Sequence, residues 1–252
     1  MKRVFITGAS SGIGAALASF YARQGAELGL VGRRHDALLA LKDSLPGTHR
    51  VYALDVRDRT ALHAAAHDFL AQGPVDIVIA SAGISAGTLT EEPDDFRVFE
   101  AIIATNLNAT VATFEPFIAS MKQQRGGRLV GIASVAAVRG LPGAGAYSAS
   151  KAAVRAYCES LRVELSTSGV KVVTIAPGFI QTPMTAQNPY KMPFLMPADR
   201  FAEQAARAIE KSVSYKVIPW QMACVAKLMR IVPDCLYDYF AVRRERKPRV
   251  GA

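Results

Sequence analysis

Short apolar runs rich in β-branched residues alternate along this chain with longer segments of helical periodicity. This constrains the fold more than any other feature. Strand-like runs fall at 4–7, 28–31, 51–54, 75–80, 129–132 and 171–175, and helical patterns at 12–24, 36–45, 59–70, 96–122, 147–166 and 200–212. Strands that alternate with helices pair in parallel. Several of the runs are apolar throughout, as expected of strands covered on both faces. The reading is therefore an α/β fold, a doubly wound parallel sheet in a single domain. A chain of 252 residues, 50% hydrophobic and 20% charged, is long enough to fill one such core. The domain proper is placed at 1–215. Residues 216–252 form an extension with two amphipathic helices broken at Pro233, followed by a basic tail, Arg243 to Arg249, expected to fray.

Thirty Lys and Arg against 21 Asp and Glu give a net charge of +9, compatible with nucleic acid, an acidic membrane surface or a phosphorylated small molecule. No nucleic-acid recognition motif accompanies the charge, so nucleic acid is not expected as a partner. Cys158, Cys224 and Cys235 form no CxxC pair, which signals neither a disulfide framework nor a zinc site. His63 and His67 share a helix face without a third ligand in prospect, and no metal is expected. The start, MKRVFITGAS, runs straight into a strand, and the apolar stretch 217–232 is interrupted by Lys227 and Arg230. No secretory signal or membrane span is expected, and a reducing, cytoplasmic location fits best.

TGASSGIG at 7–14 follows the first strand and opens the first helix, the context in which a glycine pattern marks a dinucleotide site. Gly8 permits the tight turn, Gly12 lets the backbone approach phosphate, and Gly14 lets the helix lie against the sheet. The helix N-terminus offers free amides to a pyrophosphate, and Ser10 and Ser11 add hydroxyl donors beside Ile13. After strand two, in LVGRR, Gly32 stands where an acid would hold a ribose 2′-hydroxyl, and Arg33 and Arg34 follow. Guanidinium without the acid favours a 2′-phosphate, on the order of 1.5 to 3 kcal/mol for each charge-assisted bond. The cofactor expected is NADP (NADPH). Asp55, beside Val56, either accepts a bond from the adenine amino group or caps the next helix.

Tyr147 and Lys151 lie four residues apart in YSASK, thirteen positions after Ser134. One helical turn puts phenol and ammonium on one face, where the cation can hold a phenolate near neutral pH. Each member alone has an ordinary explanation: Ser134 as a strand-end turn, Asn106 as a kink or cap.

With ASAG at 80–83, Asn106 in ATNLNAT, GIASVA around Ser134 and PGFIQTPM at 177–184, the chain resembles the short-chain dehydrogenase/reductase family, in its subclass of roughly 250 residues with TGxxxGxG and YxxxK. The resemblance runs from residue 3 to about residue 212. It implies a Rossmann-type sheet and an NADP(H)-dependent oxidoreductase moving a hydride between nicotinamide and a carbonyl or secondary alcohol. Tyr147 is then the general acid, and Lys151 lowers its pKa and bonds the nicotinamide ribose. Ser134 holds the carbonyl oxygen, and Asn106 anchors a water in a proton relay. Ala82 and Gly83 line the cofactor, while Pro177, Gly178, Ile180 and Thr182 wrap the carboxamide. A catalytically idle NADP(H)-sensing protein on the same fold is the alternative, and the intact Ser134, Tyr147 and Lys151 set argues against it. The resemblance also implies a homodimer or homotetramer.

One residue departs from the family pattern. Ser81 stands where asparagine is usual, which predicts weaker bracing of neighbouring strands. The segment 184–197 is expected to form a substrate lid, with Met192, Phe194, Leu195 and Met196 favouring an apolar substrate. The extension after 216 is expected to cover the pocket or form a subunit interface, in preference to lying peripherally on an anionic membrane.

Overall fold

The computed structural model describes residues 1–243 and 245–249; Arg244 of the basic tail lies outside them. Its strands are β1 (Arg3–Thr7), β2 (Glu27–Gly32), β3 (His49–Ala53), β4 (Ile77–Ala80), β5 (Arg128–Ile132), β6 (Lys171–Pro177) and β7 (Tyr215–Ile218). They form one sheet in the order β3-β2-β1-β4-β5-β6-β7, every neighbouring pair parallel. The helices are α1 (Gly12–Arg23), α2 (His35–Ser44), α3 (Arg59–Ala71), α4 (Asp95–Ile103), α5 (Ala109–Gln123), α6 (Gly145–Glu164), α7 (Pro183–Ala186), α8 (Ala198–Glu210), α9 (Trp220–Ile231) and α10 (Asp234–Ala241). This is the doubly wound, single-domain α/β architecture that the alternation predicts.

The two-residue period of β1 sends its side chains into two cores. Val4 and Ile6 join Leu17, Tyr21 and Phe201 from α1 and α8 on one face. Phe5 joins Phe69 and Phe117 from α3 and α5 on the other, its ring 5.7 and 5.0 Å from theirs. Complete burial of such a side chain contributes about 1.5–3 kcal/mol. From β1 the chain winds outward through β2 and β3, then returns to β4 on the other side. This reversal opens a crevice at the carboxyl ends of β1 and β4.

The predicted helix over 96–122 is not continuous. A π-turn, Ala104–Asn108, separates α4 from α5, and Thr110 Oγ1 donates to the Asn106 carbonyl at 2.8 Å, a back-bond that competes with regular helix pairing. Pro116 inside α5 lacks the amide that would serve the Ala112 carbonyl. His63 Nε2 donates to that carbonyl instead, at 3.1 Å. The histidine pair of α3 thus has a packing role at His63.

Two features of the carboxyl end differ from expectation. β7 went unrecognised because it is a four-residue edge strand carrying Lys216. It crosses the expected 215/216 boundary, and the helical extension begins beyond it at Trp220. The basic tail is tied down instead of frayed. Gly87 N donates to the Pro248 carbonyl at 2.8 Å, Lys247 Nζ to Ser85 Oγ at 2.9 Å, and Arg249 Nε to Asp95 Oδ2 at 2.8 Å. A Cβ on Gly87 would lie 2.2 Å from the Lys247 carbonyl oxygen, so only glycine admits this approach. The Leu89 amide, and after it Arg249, holds the Asp95 carboxyl below the ordinary carboxylate range. Arg249→Ala is expected to release the tail, read as faster hydrogen exchange at the Gly87 amide with protection of β1 and β4 unchanged.

Candidate active site

The crevice at the β1–β4 reversal is a cavity of about 680 Å³. Its floor is the glycine turn. Gly8 and Gly12 have φ of 69° and 57°, the left-handed region that glycine enters without strain. A Cβ on Gly8 would sit 2.8 Å from the Ala82 backbone, and one on Gly14 would sit 2.2 Å from the Gly8 carbonyl oxygen. Both would block the turn. Ser11 caps α1 in extended conformation without a side-chain bond to the helix, and the first turn holds no acid. The open helix N-terminus therefore suits an anion, as a pyrophosphate requires.

Arg33 and Arg34 are exposed on the rim. Arg34 Nη2 donates to the Ser10 carbonyl at 3.0 Å, which sets its guanidinium beside the glycine turn. Asp55 lines the same rim but does not cap α3, because Asp58 does so through the Ala61 amide at 3.0 Å. Arg57 grips the Asp55 carboxylate at 2.7 Å and, foremost by that bond, lowers its pKa.

Across the crevice stand Ser134, after β5, and Tyr147 and Lys151, on the first turns of α6. Ser134 is buried, and its Oγ accepts the Ala136 amide at 3.1 Å. Lys151 is also buried, and Nζ donates to the Ile132 carbonyl at 2.8 Å. The ammonium lies 5.9 Å from the centre of the Tyr147 ring. Burial pulls Lys151 down to about 8. Burial also pushes the Tyr147 phenol above its ordinary value, against a hydrogen bond with Ser134 that pulls it back. In this geometry burial of both groups opposes the expected support of a phenolate by the neighbouring ammonium.

Every site residue predicted from sequence lines this cavity except Asn106. Gly8, Ser10, Ser11, Gly12, Ile13, Gly14, Arg33, Arg34, Asp55, Val56, Ala82 and Gly83 line it together with Pro177, Gly178, Ile180 and Thr182. Asn106 is fully buried behind the wall. Its Oδ1 accepts the Ile84 amide at 2.8 Å, and Nδ2 donates to the Ile84 carbonyl at 3.0 Å and to Ser150 Oγ at 2.9 Å. It therefore braces the loop after β4. A Cβ on Gly83 would lie 3.3 Å from Asn106 Oδ1 and 3.5 Å from Lys151 Nζ, so the three meet at one point.

The Thr182 hydroxyl forms a capping box with Thr185 at the start of α7. At Ser81 the strand bracing comes from Thr7, whose Oγ1 accepts the Ser81 amide at 3.2 Å and the Ala82 amide at 3.4 Å. Sequence reading missed Thr7, Thr105, Ile84 and Ser85; the position of Thr7 at the carboxyl end of β1 was the available signal. The lid is also corrected. Met184, Thr185 and Gln187 line the cavity, but Phe194 and Leu195 are exposed and Met196 packs into the core.

Lys151 carries a pH signature. Its folded pKa of about 8 lies below the unfolded 10.5, so between these values the unfolded chain binds more protons and stability rises with pH. Below about 8 the burial cost of the ammonium is fully present; above 10.5 it is gone. The whole effect is roughly 3 kcal/mol at 1.36 kcal/mol per pKa unit. Lys151→Met is expected to be the more stable protein near neutral pH, with its advantage disappearing as pH rises toward 10.5, read from denaturant midpoints across pH.

Comparison with known proteins gives this geometry its context. The family model described as short chain dehydrogenase matches residues 2–192. An uncharacterized oxidoreductase of Myxococcus xanthus is 37% identical over 247 residues, covering 96% of this chain and 97% of that protein. Among solved structures, a 3-ketoacyl-(acyl-carrier-protein) reductase from Brucella melitensis complexed with NADH superposes with a TM-score of 0.77 at 26% identity, covering 86% of this chain and 94% of that one. An alcohol dehydrogenase from Thermococcus sibiricus complexed with 5-hydroxy-NADP gives 0.75 at 28%, covering 86% and 96%. With the glycine turn, the switch-point crevice and the serine, tyrosine and lysine on one cavity wall, the chain belongs to the short-chain dehydrogenase family: it is an oxidoreductase acting on CH–OH or carbonyl groups with a nicotinamide cofactor.

Proposed function

We propose that the protein is an NADPH-dependent reductase of a largely apolar aldehyde or ketone. The observation that carries this is the convergence of Ser134, Tyr147 and Lys151 with the Gly8–Gly14 turn on one cavity. The bound dinucleotide supplies the hydride. The chain's own residues handle charge and protons.

The amides at the start of α1 would hold the pyrophosphate, and the tight turn at Gly8 and Gly14 leaves them open to it. Arg33 and Arg34 support NADP over NAD. They line the cavity beside the glycine turn, no acid stands at Gly32, and the nearby Asp55 carboxylate is already gripped by Arg57. Gly178 and Thr182 border the nicotinamide end. Ser134 donates its hydroxyl to the substrate oxygen and stabilises the charge that develops there. Tyr147, raised in pKa and therefore protonated, gives its proton to the same oxygen. Lys151 offsets the phenolate that remains, a positive charge favouring the ionised form. Asn106 holds the Ile84 loop in place and so positions Gly83 against the lysine. Ile84 and Met184 at the substrate end support an apolar substrate.

Tyr147→Phe is expected to lower turnover by at least about a thousandfold, within the range lost when a positioned acid is removed, while NADPH fluorescence titration shows unchanged binding. Full turnover by that variant ends the acid role. Arg33→Asp is expected to move the NADPH-to-NADH ratio of kcat/KM toward NADH by about tenfold or more, equivalent to one charge-assisted bond. An unchanged ratio removes the phosphate role. A screen of aldehydes and ketones of graded chain length, followed as NADPH absorbance, identifies the substrate.

A further inference from the structure

The helical extension has an inward and an outward face of opposite character. Inward, Met222 and Ala226 are buried, and Met222 closes on the Pro177–Gly178 turn: a Cβ on Gly178 would lie 2.6 Å from Met222 Cγ. Arg139, five residues beyond Ser134, donates to the Met229 and Val232 carbonyls at 2.8 and 2.6 Å and pairs with Asp234. Tyr237 donates to the Gly140 carbonyl. The extension is thus pinned to the two loops that frame the active cavity.

Outward, the same helices leave large apolar side chains in solvent. At about 100° per residue, Trp220, Cys224, Lys227, Leu228 and Ile231 share one stripe of α9, opposite Met222 and Ala226. Trp220 is 67% exposed and Ile231 76%. On α10, Leu236, Tyr239 and Phe240 form a second exposed stripe. Exposed apolar stripes on helices mark candidate interaction surfaces.

We infer that the outward faces of α9 and α10 are an interfacial surface that docks the protein on an anionic lipid membrane, with the substrate end of the cavity beside the bilayer. Charge decides the occupant. Lys227 stands within the apolar stripe of α9 and Arg230 at its edge, while the Arg243 guanidinium sits 4.5 Å over the Tyr239 ring. Of the two acids on α10, Asp234 is taken by Arg139, and Asp238 points away from the Leu236–Tyr239 stripe. A second copy docked on this face by two-fold symmetry would set like cations against each other. Anionic headgroups would instead pair with them while Trp220, Ile231 and Phe240 enter the acyl boundary, the pattern of an amphipathic helix lying in the interface. Among the described residues no helix is long and apolar enough to cross a membrane, so the contact is peripheral. None of these apolar side chains lines the cavity. The inward side of the extension reaches the cavity wall only indirectly, through Met222 packed against Gly178.

The access of a lipophilic carbonyl compound from the bilayer rests on the proposed reductase reading; membrane binding itself does not. The test is sedimentation of the full chain with phosphatidylcholine vesicles containing or lacking phosphatidylglycerol. Binding is expected only with phosphatidylglycerol and is expected to fall as salt rises. Lys227→Glu with Arg230→Glu should weaken it by more than about tenfold, since each basic residue near an anionic surface contributes about a fivefold factor. Ile231→Ser with Phe240→Ser should abolish it, while turnover of a water-soluble aldehyde stays at the wild-type rate. Failure of the native chain to sediment, or wild-type sedimentation of both variants, overturns the proposal. So does an Ile231→Ser, Phe240→Ser variant that turns a dimer into a monomer in the absence of vesicle binding. Vesicle binding without turnover of any carbonyl compound would sink the reductase reading alone.

Discussion

The site depends on one close approach, that of the Gly8 backbone to the Ala82 backbone where β1 and β4 end side by side. Parallel pairing runs from Val4–Ile77 to Thr7–Ala80. Beyond it the chain turns away in opposite directions, toward α1 on one side and toward the Asn106-braced loop on the other. Neither a side chain at Gly8 nor one at Gly14 could be accommodated without moving backbone. Thr7 secures the junction from below by accepting two amides of the β4 loop. The hydroxyl that ties the strands at position 81 belongs to β1.

Placed against that junction, Lys151 shows what the site costs the fold. An ammonium taken out of water is destabilising unless its donors are used, and here the identified acceptor is the neutral Ile132 carbonyl. Burial accordingly pulls its pKa down to about 8. A neutral side chain would pack there more cheaply, so the charge is retained for something other than stability. A cation beside a hydroxyl that must shed a proton is a sufficient reason.

How much was legible follows from the range of the interactions concerned. The alternation of apolar runs specifies a parallel sheet because its period is local, and TGASSGIG specifies a turn because glycine stereochemistry is local. Both could be read from neighbours in sequence. The partner of Lys151 could not. Four-residue spacing places Lys151 on the Tyr147 face of its helix, yet the ammonium turns to the Ile132 carbonyl, nineteen residues away. Asn106 was legible as a residue of note and not as a brace, since its partners Ile84 and Ser150 come together only in the folded chain. β7 escaped because an edge strand buries too little to impose a pattern on four residues. Met192, Phe194 and Leu195 read as pocket residues by composition alone, a signal that does not distinguish a wall from a surface.

The carboxyl-terminal 30 or so residues extend the same logic to a part of the chain where motif and periodicity say less. A helix pair with one inward and one outward apolar face satisfies two environments at once. Its inward contacts, Met222 against Gly178 and Arg139 against the end of α9, hold the Pro177–Gly178 turn and the loop after Ser134. The tail beyond α10 closes a third side by pairing with Gly87 and Asp95, next to Ser85 in the cavity wall. Three loops that each bring a residue to the cavity, Gly178, Ser134 and Ser85, are therefore held by contacts with residues between Trp220 and Arg249.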